Sequence, residues 1–320
     1  MRALRVHDLT GPDGLRLDEI AVPPDREDGT HVRVAVYAAG VGFVDTLLAR
    51  GLFQCPLRLP FAPGLEISGR VMHAPLGCGF VVGDPVIGYV PTGGFAEVAW
   101  VRPEMLAPLP QPLSWVEAAA MVVNYHTAVV ALDERARLRA GETVLVHGGG
   151  GGLGSAMVQI AVALGARVVA VAGTPERRAV AEAAGAHTVC AHEDWFDAVR
   201  AAGGVDIIID PIGGEVLEHS VHCLAPQGRL ITVGFASGTV AKAATGRLLL
   251  SNAGVLGISL PEMLARDHTL FTRTAKQLAE LVASGLRPLV TATYPLPDGA
   301  RALREIEEQT SAGKLILTTG

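Results

Sequence analysis

One segment constrains this chain more than any other: Gly148-Gly149-Gly150-Gly151-Gly152-Leu153-Gly154. The apolar run Thr143–His147 leads into it, and residues 155–164 follow with helical spacing and stop at Gly165. A second apolar run, residues 167–172, ends about 20 residues after the turn, as a dinucleotide-binding βαβ unit requires. The spacing G-x-x-G-x-x-G fits Gly148, Gly151 and Gly154. Glycine lets the backbone turn tightly and approach a pyrophosphate closely. The helix start at Gly152, Leu153 and Ser155 then offers free N–H groups and a positive dipole end. The segment therefore predicts a Rossmann turn and a nicotinamide dinucleotide.

The tip of the second strand separates the two dinucleotides. An Asp or Glu there binds the ribose 2′-hydroxyl of NAD. Here the strand ends Ala170-Val171-Ala172-Gly173-Thr174, with no carboxylate. Thr174, Arg177 and Arg178 follow at once, and a hydroxyl with two guanidinium groups suits a 2′-phosphate. The expected cofactor is NADP(H).

Apolar runs and helical stretches alternate beyond the turn. Residues 176–184 read as a helix, and Val205–Asp210 and residues 228–233 and 255–260 as strands. Runs that do not alternate suit parallel strands buried on both faces, so this part is an α/β, doubly wound parallel sheet. Residues 1 to 110 differ. Residues 32–37 alternate with period two, and glycines and prolines, Pro23-Pro24 among them, punctuate short strands. That pattern predicts a mostly antiparallel β domain. Ser114-Trp115-Val116-Glu117 is a capping box opening a helical stretch. The tail reads as a helix at 268–284, strand Val290–Pro295, a helix at 299–308 and strand Lys314–Thr318. If these pieces return to the first domain, it comprises 1–118 and 262–320, with the dinucleotide domain, 119–261, inserted between its halves.

The net charge of −6 leaves no electrostatic footprint for nucleic acid. Nor are there basic runs to hold the chain to an anionic membrane surface. The mean hydropathy of +0.36 comes from Ala, Val, Leu and Gly. Runs such as 118–123 and 166–172 fall short of the roughly 20 residues of a membrane span. The start, Met1 to Asp8, shows no signal sequence, and a cytoplasmic protein is expected. Cys55, Cys78, Cys190 and Cys223 form no C-x-x-C pair, so free thiols are expected, with neither disulfides nor structural zinc.

Four stretches carry a resemblance: Ala39-Gly40-Val41-Gly42-Phe43-Val44-Asp45, Pro63-Gly64-Leu65-Glu66-Ile67-Ser68-Gly69, Val144-Leu145-Val146-His147-Gly148 and Gly313-Lys314-Leu315. Nearly end to end, the chain resembles the medium-chain dehydrogenase/reductase superfamily, and within it the zinc-free quinone oxidoreductase (zeta-crystallin-like) branch. The resemblance implies a mostly β, GroES-like catalytic domain around the Rossmann domain. Zinc-dependent members carry Cys-His where Gly42-Phe43 stand, His-Glu where Leu65-Glu66 stand, and a Cys near Asn124. Without imidazole or thiolate ligands no tetrahedral zinc site is expected, which argues against metal-assisted alcohol oxidation.

The resemblance thus implies hydride transfer from NADPH to a small quinone or other α,β-unsaturated carbonyl. A biosynthetic enoyl reductase, or an NADPH-binding protein with little catalysis, are the alternatives. Quinone reductases often have Asn at Gly42 and Tyr at Phe53, so this pocket is less polar. The candidate catalytic residues are Tyr125, a donor to the carbonyl or a packing residue, Asn124, Asp45, for the loop or for proton work, and Phe53, an apolar wall. The resemblance places Thr127 near the nicotinamide. Phe235 and Ser237 follow a parallel strand and border the same half, and Lys314 is a candidate phosphate contact. Relatives pair the last strand across a two-fold axis, implying a homodimer.

Overall fold

Val32–Val41 is buried at every second position through its first half, so one face of a sheet packs into a core and the other meets solvent. The computed structural model describes residues 1–22, 29–54 and 56–320; the Pro23-Pro24 turn and the Cys55 thiol lie outside the described residues. The chain forms two units, Met1–Val123 with Asp267–Gly320, and Asn124–Arg266.

In the first unit the sheet runs Val290–Pro295, Lys314–Thr318, Val32–Val41, Glu66–His73, Pro85–Tyr89 and Leu106–Pro108, with Val98–Val101 also on Val32–Val41. Neighbours are antiparallel except Val290–Pro295 beside Lys314–Thr318. Its core gathers Val34, Val36, Ile67, Val71, Val86, Phe95, Leu106, Leu315 and Leu317. Each such side chain, fully buried, stabilises the fold by about 1.5–3 kcal/mol. The helix Trp115–Met121 packs on Val32–Val41 and Glu66–His73. That is why the boundary falls after Val123 and not after 118, as the sequence suggests. The predicted capping box is present: Ser114 Oγ accepts from Glu117 N–H at 3.3 Å, and Ser114 N–H donates to the Glu117 carboxylate at 2.8 Å.

The second unit holds six parallel strands in the order Thr188–Cys190, Arg167–Val171, Thr143–His147, Val205–Asp210, Leu224–Thr232, Gly254–Gly257. Numbered along the chain this is 3-2-1-4-5-6, the Rossmann order. The fold is thus a GroES-like unit plus a Rossmann-type sheet. Two sequence readings need correction. The edge strand is Gly254–Gly257, shorter than 255–260, because Leu260 already opens the helix Leu260–Arg266. Also, the helical pieces Trp115–Met121, Asn124–Val129 and the π-helical Val130–Arg135 run almost end to end. As Trp115–Arg135 they make 21 residues of mean hydropathy 1.3, long and apolar enough to span a membrane, but 72% of that apolar stretch is buried inside the protein.

Candidate active site

The glycine turn is built from the end of strand Thr143–His147. Gly148 has φ +63°, which a side chain would resist. Gly149 N–H donates to Val171 O at 3.0 Å and ties the turn to the neighbouring strand. The helix Gly152–Ala163 starts on Gly151, an N-cap with no side chain to satisfy the first-turn N–H groups. Those of Gly152 and Leu153 therefore stay available to an anion.

The glycines are needed for different reasons. A Cβ on Gly154 would overlap the carbonyl oxygen of Gly148, and one on Gly150 the carbonyl oxygen of Arg177. These two let helix, turn and neighbouring helix close up. Gly151 differs, because a Cβ there would meet only Gly148 O, at an ordinary 3.5 Å. Nothing in the protein excludes a side chain at Gly151, whereas a pyrophosphate lying on the backbone would. The turn therefore fits a dinucleotide.

At the second strand tip, Thr174 caps the helix Pro175–Ala183, and its hydroxyl accepts from Arg177 N–H at 3.3 Å. Arg178 donates to Gly173 O at 3.3 Å. Thr174 is exposed, and Arg177 and Arg178 are half-buried in the first turn of the helix that starts at the tip. Glu176 sits among them. Its own backbone N–H, the Thr174 hydroxyl and the Arg178 charge hold its carboxyl below the usual range.

The loops after the next two strands complete this end of the sheet. Asp210, fully buried, accepts from Ile212 N–H at 2.8 Å and Gly213 N–H at 3.1 Å, and burial pushes its carboxyl up. Sequence reading passed over Asp210, although an Asp closing an apolar strand before Pro-Ile-Gly-Gly is a turn signal. Ala236 and Ser237 N–H donate to Pro211 O and Ile212 O, both at 3.0 Å. Phe235 is left 42% exposed, and Ser237 is exposed as well.

The helix Asn124–Val129 opens the second unit. Asn124 and Thr127 are nearly buried. Tyr125, which the sequence leaves open between a carbonyl donor and a packing residue, is buried, and its hydroxyl donates to Gln159 Oε1 on the helix Gly152–Ala163. Burial lowers His126 to about 3. His147 is lowered to about 3 by burial and packs edge-on against Trp195 at 4.6 Å. Since Ser220 Oγ donates to Val216 O at 2.6 Å, the contact at 2.8 Å requires His147 Nε2–H to donate to Ser220 Oγ.

The first unit carries a separate cluster. Asp45, on the helix Phe43–Ala49, accepts from Gly42 N–H at 2.8 Å and Gly64 N–H at 2.9 Å. Burial raises it to about 7. Lys314 also departs from expectation. Its ammonium is buried, ion-paired with Glu66, and donates to Val41 O at 3.0 Å, so it is not displayed to a phosphate. Glu66 accepts in addition from Val123 N–H at 2.8 Å. Phe53 is half-buried and Phe43 exposed. Among the described residues no group of three or more His, Cys, Asp or Glu is arranged to hold a metal ion.

Comparisons with known proteins agree with this layout. Residues 28–111 match the alcohol dehydrogenase GroES-like domain, and residues 152–283 the model described as zinc-binding dehydrogenase. Quinone oxidoreductase of Mus musculus is 32% identical, over 99% of this chain and 97% of its own. A probable oxidoreductase from Mycobacterium abscessus superposes with TM-score 0.91 at 39% identity, covering 99% of this chain and 98% of its own. Quinone oxidoreductase from Thermus thermophilus, solved also with NADPH, superposes with TM-score 0.86 at 34% identity, covering 99% and 100%. A GroES-like unit joined to a Rossmann-type sheet defines a medium-chain dehydrogenase/reductase. Within that superfamily, the chain belongs to the quinone oxidoreductase family.

Proposed function

We propose that this chain is an NADPH-dependent reductase that passes hydride to quinones or other α,β-unsaturated carbonyls without a metal. The observation that carries the reading is Gly151, where a Cβ would meet only Gly148 O, at 3.5 Å, and which caps the helix Gly152–Ala163 without a side chain. The NADPH-bound Thermus neighbour supports the same cofactor here. Gly148, Gly151, Gly152, Leu153 and Gly154 hold the pyrophosphate, Thr174, Arg177 and Arg178 the 2′-phosphate, and Phe235, Ser237 and Thr127 the nicotinamide half. Bound NADPH supplies a hydride from C4. Conjugated acceptors are already electrophilic, so the protein positions them, excludes water and steadies the oxygen that gains charge. Asn124 is the amide donor for that oxygen, and Phe53 an apolar wall. Gly42, Phe43 and Leu65 carry no ligating side chain where zinc-dependent members do, which favours metal-free chemistry.

NADPH oxidation is measured with a quinone, a short enone, an enoyl thioester and an aldehyde. Turnover of the quinone or the enone is expected. Turnover of the thioester alone narrows the enzyme to enoyl reduction. No turnover leaves only a dinucleotide-binding protein, and aldehyde turnover lost on chelation overturns the metal-free reading. Replacing both Arg177 and Arg178 by Ala raises the Michaelis constant for NADPH at least about tenfold, the loss of one charged contact or more, and leaves that for NADH unchanged. Unchanged constants for both cofactors would remove the 2′-phosphate assignment.

We also propose a homodimer. Gly254–Gly257 is a sheet edge, and Leu249 and Leu250, on the helix Thr245–Ser251 that precedes it in the chain, are 78% and 80% exposed. An open edge with apolar neighbours invites pairing. Light scattering is expected to give twice the 33.3 kDa chain mass, and the single mass at micromolar protein contradicts it.

A further inference from the structure

We propose that a cleft at the amino-end edge of the Rossmann sheet binds a small monocarboxylate, with its apolar body against Val169, Val199 and Val205 and its charge on Arg167. The cleft holds about 180 Å³. Thr143, Arg167, Thr188 and Val205 line it, and each is the first residue of its strand. Those four strands lie side by side and parallel. The glycine turn follows the other end of Thr143–His147, and dinucleotide crevices open at the carboxyl ends of parallel strands. The cleft is thus a separate place, lined entirely from within the second unit.

The cleft exists because its walls are small. Residues two apart share one face of a strand. Leu145, Val171 and Cys190 pack in one core with Trp195 and Val199. Two residues earlier in their strands, the same face continues as Thr143, Val169 and Thr188. There the covering helix, Trp195–Ala201, offers only Ala198 and, just past its end, Ala202. Close-packed proteins leave few voids larger than a water molecule, whereas a cavity of about 150 Å³ already admits a benzene ring. Neither alanine is dictated by the backbone. Ala198 lies within a helix, and Ala202 has φ −78° in the right-handed helical region, so larger residues fit both conformations.

The chemistry divides along the depth of the cleft. Cys190, Val199 and Val205 are buried and form an apolar floor, whereas Arg167 and Thr188 are exposed at the mouth. Among the described residues, the side chains of Arg167, Thr143 and Thr188 make no ion pair or hydrogen bond. A guanidinium with no carboxylate of its own binds one through paired N–H groups, and the two hydroxyls add donors beside it. The inner end repels an anion: burial, and then the Asp194 charge, raise the Cys190 thiol. The ligand's carboxylate therefore faces the mouth and its apolar body points inward. Cys190 stays a neutral wall, and no covalent bond forms.

Benzoate, benzyl alcohol and benzylamine are the probes, used on the full chain with and without saturating NADPH. Isothermal calorimetry measures affinity. Occupancy of the cleft is read from the rate at which N-ethylmaleimide alkylates Cys190, followed on its own peptide by mass spectrometry. Benzoate is expected to bind and to slow that alkylation saturably, with NADPH present or absent. Benzyl alcohol should bind at least about tenfold more weakly, for want of the charged contact, and benzylamine not at all. Arg167→Gln, an exposed change, is expected to weaken benzoate at least about tenfold and leave benzyl alcohol unchanged. Ala198→Leu fills the cleft from an exposed helix position, should melt as wild type does, and should lose both ligands. The assignment falls if calorimetry detects no benzoate binding, or if benzylamine binds as well as benzoate. It falls also if both variants bind benzoate as wild type does, which would put the ion elsewhere. Loss of benzoate binding at saturating NADPH would place it in the dinucleotide crevice and overturn the separate site.

Discussion

Gly154→Ala is expected to destabilise the protein by about 1–3 kcal/mol or more, as overpacking does. Its Cβ would overlap the Gly148 carbonyl oxygen and crowd Gly148 C and Gly149 Cα, all of them backbone that no rotamer can clear. In a unit of this size that corresponds to a melting temperature lower by roughly 2–12 °C. NADPH binding is lost with it, since the same displacement moves the helix start away from the phosphate. Gly151→Ala is the paired control. Its Cβ meets the protein at 3.5 Å, so the melting temperature should stay within about 1–2 °C of wild type, as for a strain-free surface change, while NADPH affinity falls at least about tenfold as the methyl group displaces the pyrophosphate. Scanning calorimetry and fluorescence titration separate the two effects. If Gly151→Ala binds NADPH normally, the turn does not cradle the cofactor as assigned. If Gly154→Ala melts like wild type, the close helix–turn packing is not what requires glycine.

The second large effect concerns the Lys314–Glu66 pair. Lys314→Met should cost about 3–5 kcal/mol, because it leaves a buried carboxylate facing no cation. The double variant Lys314→Met/Glu66→Gln should recover most of that loss, since a buried ion pair replaced as a unit is often nearly neutral. Chemical denaturation of the four members of the cycle measures the coupling. Additive losses would show that the two side chains do not act as a pair.

Much of the fold was legible where signals are local. Residues 32–37 alternate because one face is core, and Val290–Pro295 and Lys314–Thr318 read correctly end to end. The strand Thr188–Cys190 and the helix Trp195–Ala201 did not, being three and seven residues long with little period to detect. The site divides in the same way. The glycine turn and the bare tip at Ala172 are written in consecutive residues. Gly150, by contrast, is required by the carbonyl of Arg177, which only the folded chain brings near. Lys314 looked like a free phosphate ligand because its partner stands 248 residues away. Tyr125 could not be decided between donor and packing residue, because nothing nearby in sequence shows that Gln159 takes its hydroxyl.

The strand Lys314–Thr318 lies inside its sheet, with Val32–Val41 on one side and Val290–Pro295 on the other. On that flank Val98–Val101 already pairs residues 32–35 of Val32–Val41, so Lys314–Thr318 covers only residues 38–41. The Rossmann unit is one continuous stretch of chain, and its parallel strands pair within it. The first unit instead closes its sheet by pairing across the whole inserted unit, so the loop-closure cost of that insertion falls on its own assembly. The slowest pairing to form is therefore Lys314–Thr318 on Val32–Val41, and a Rossmann unit that folds first shortens that search.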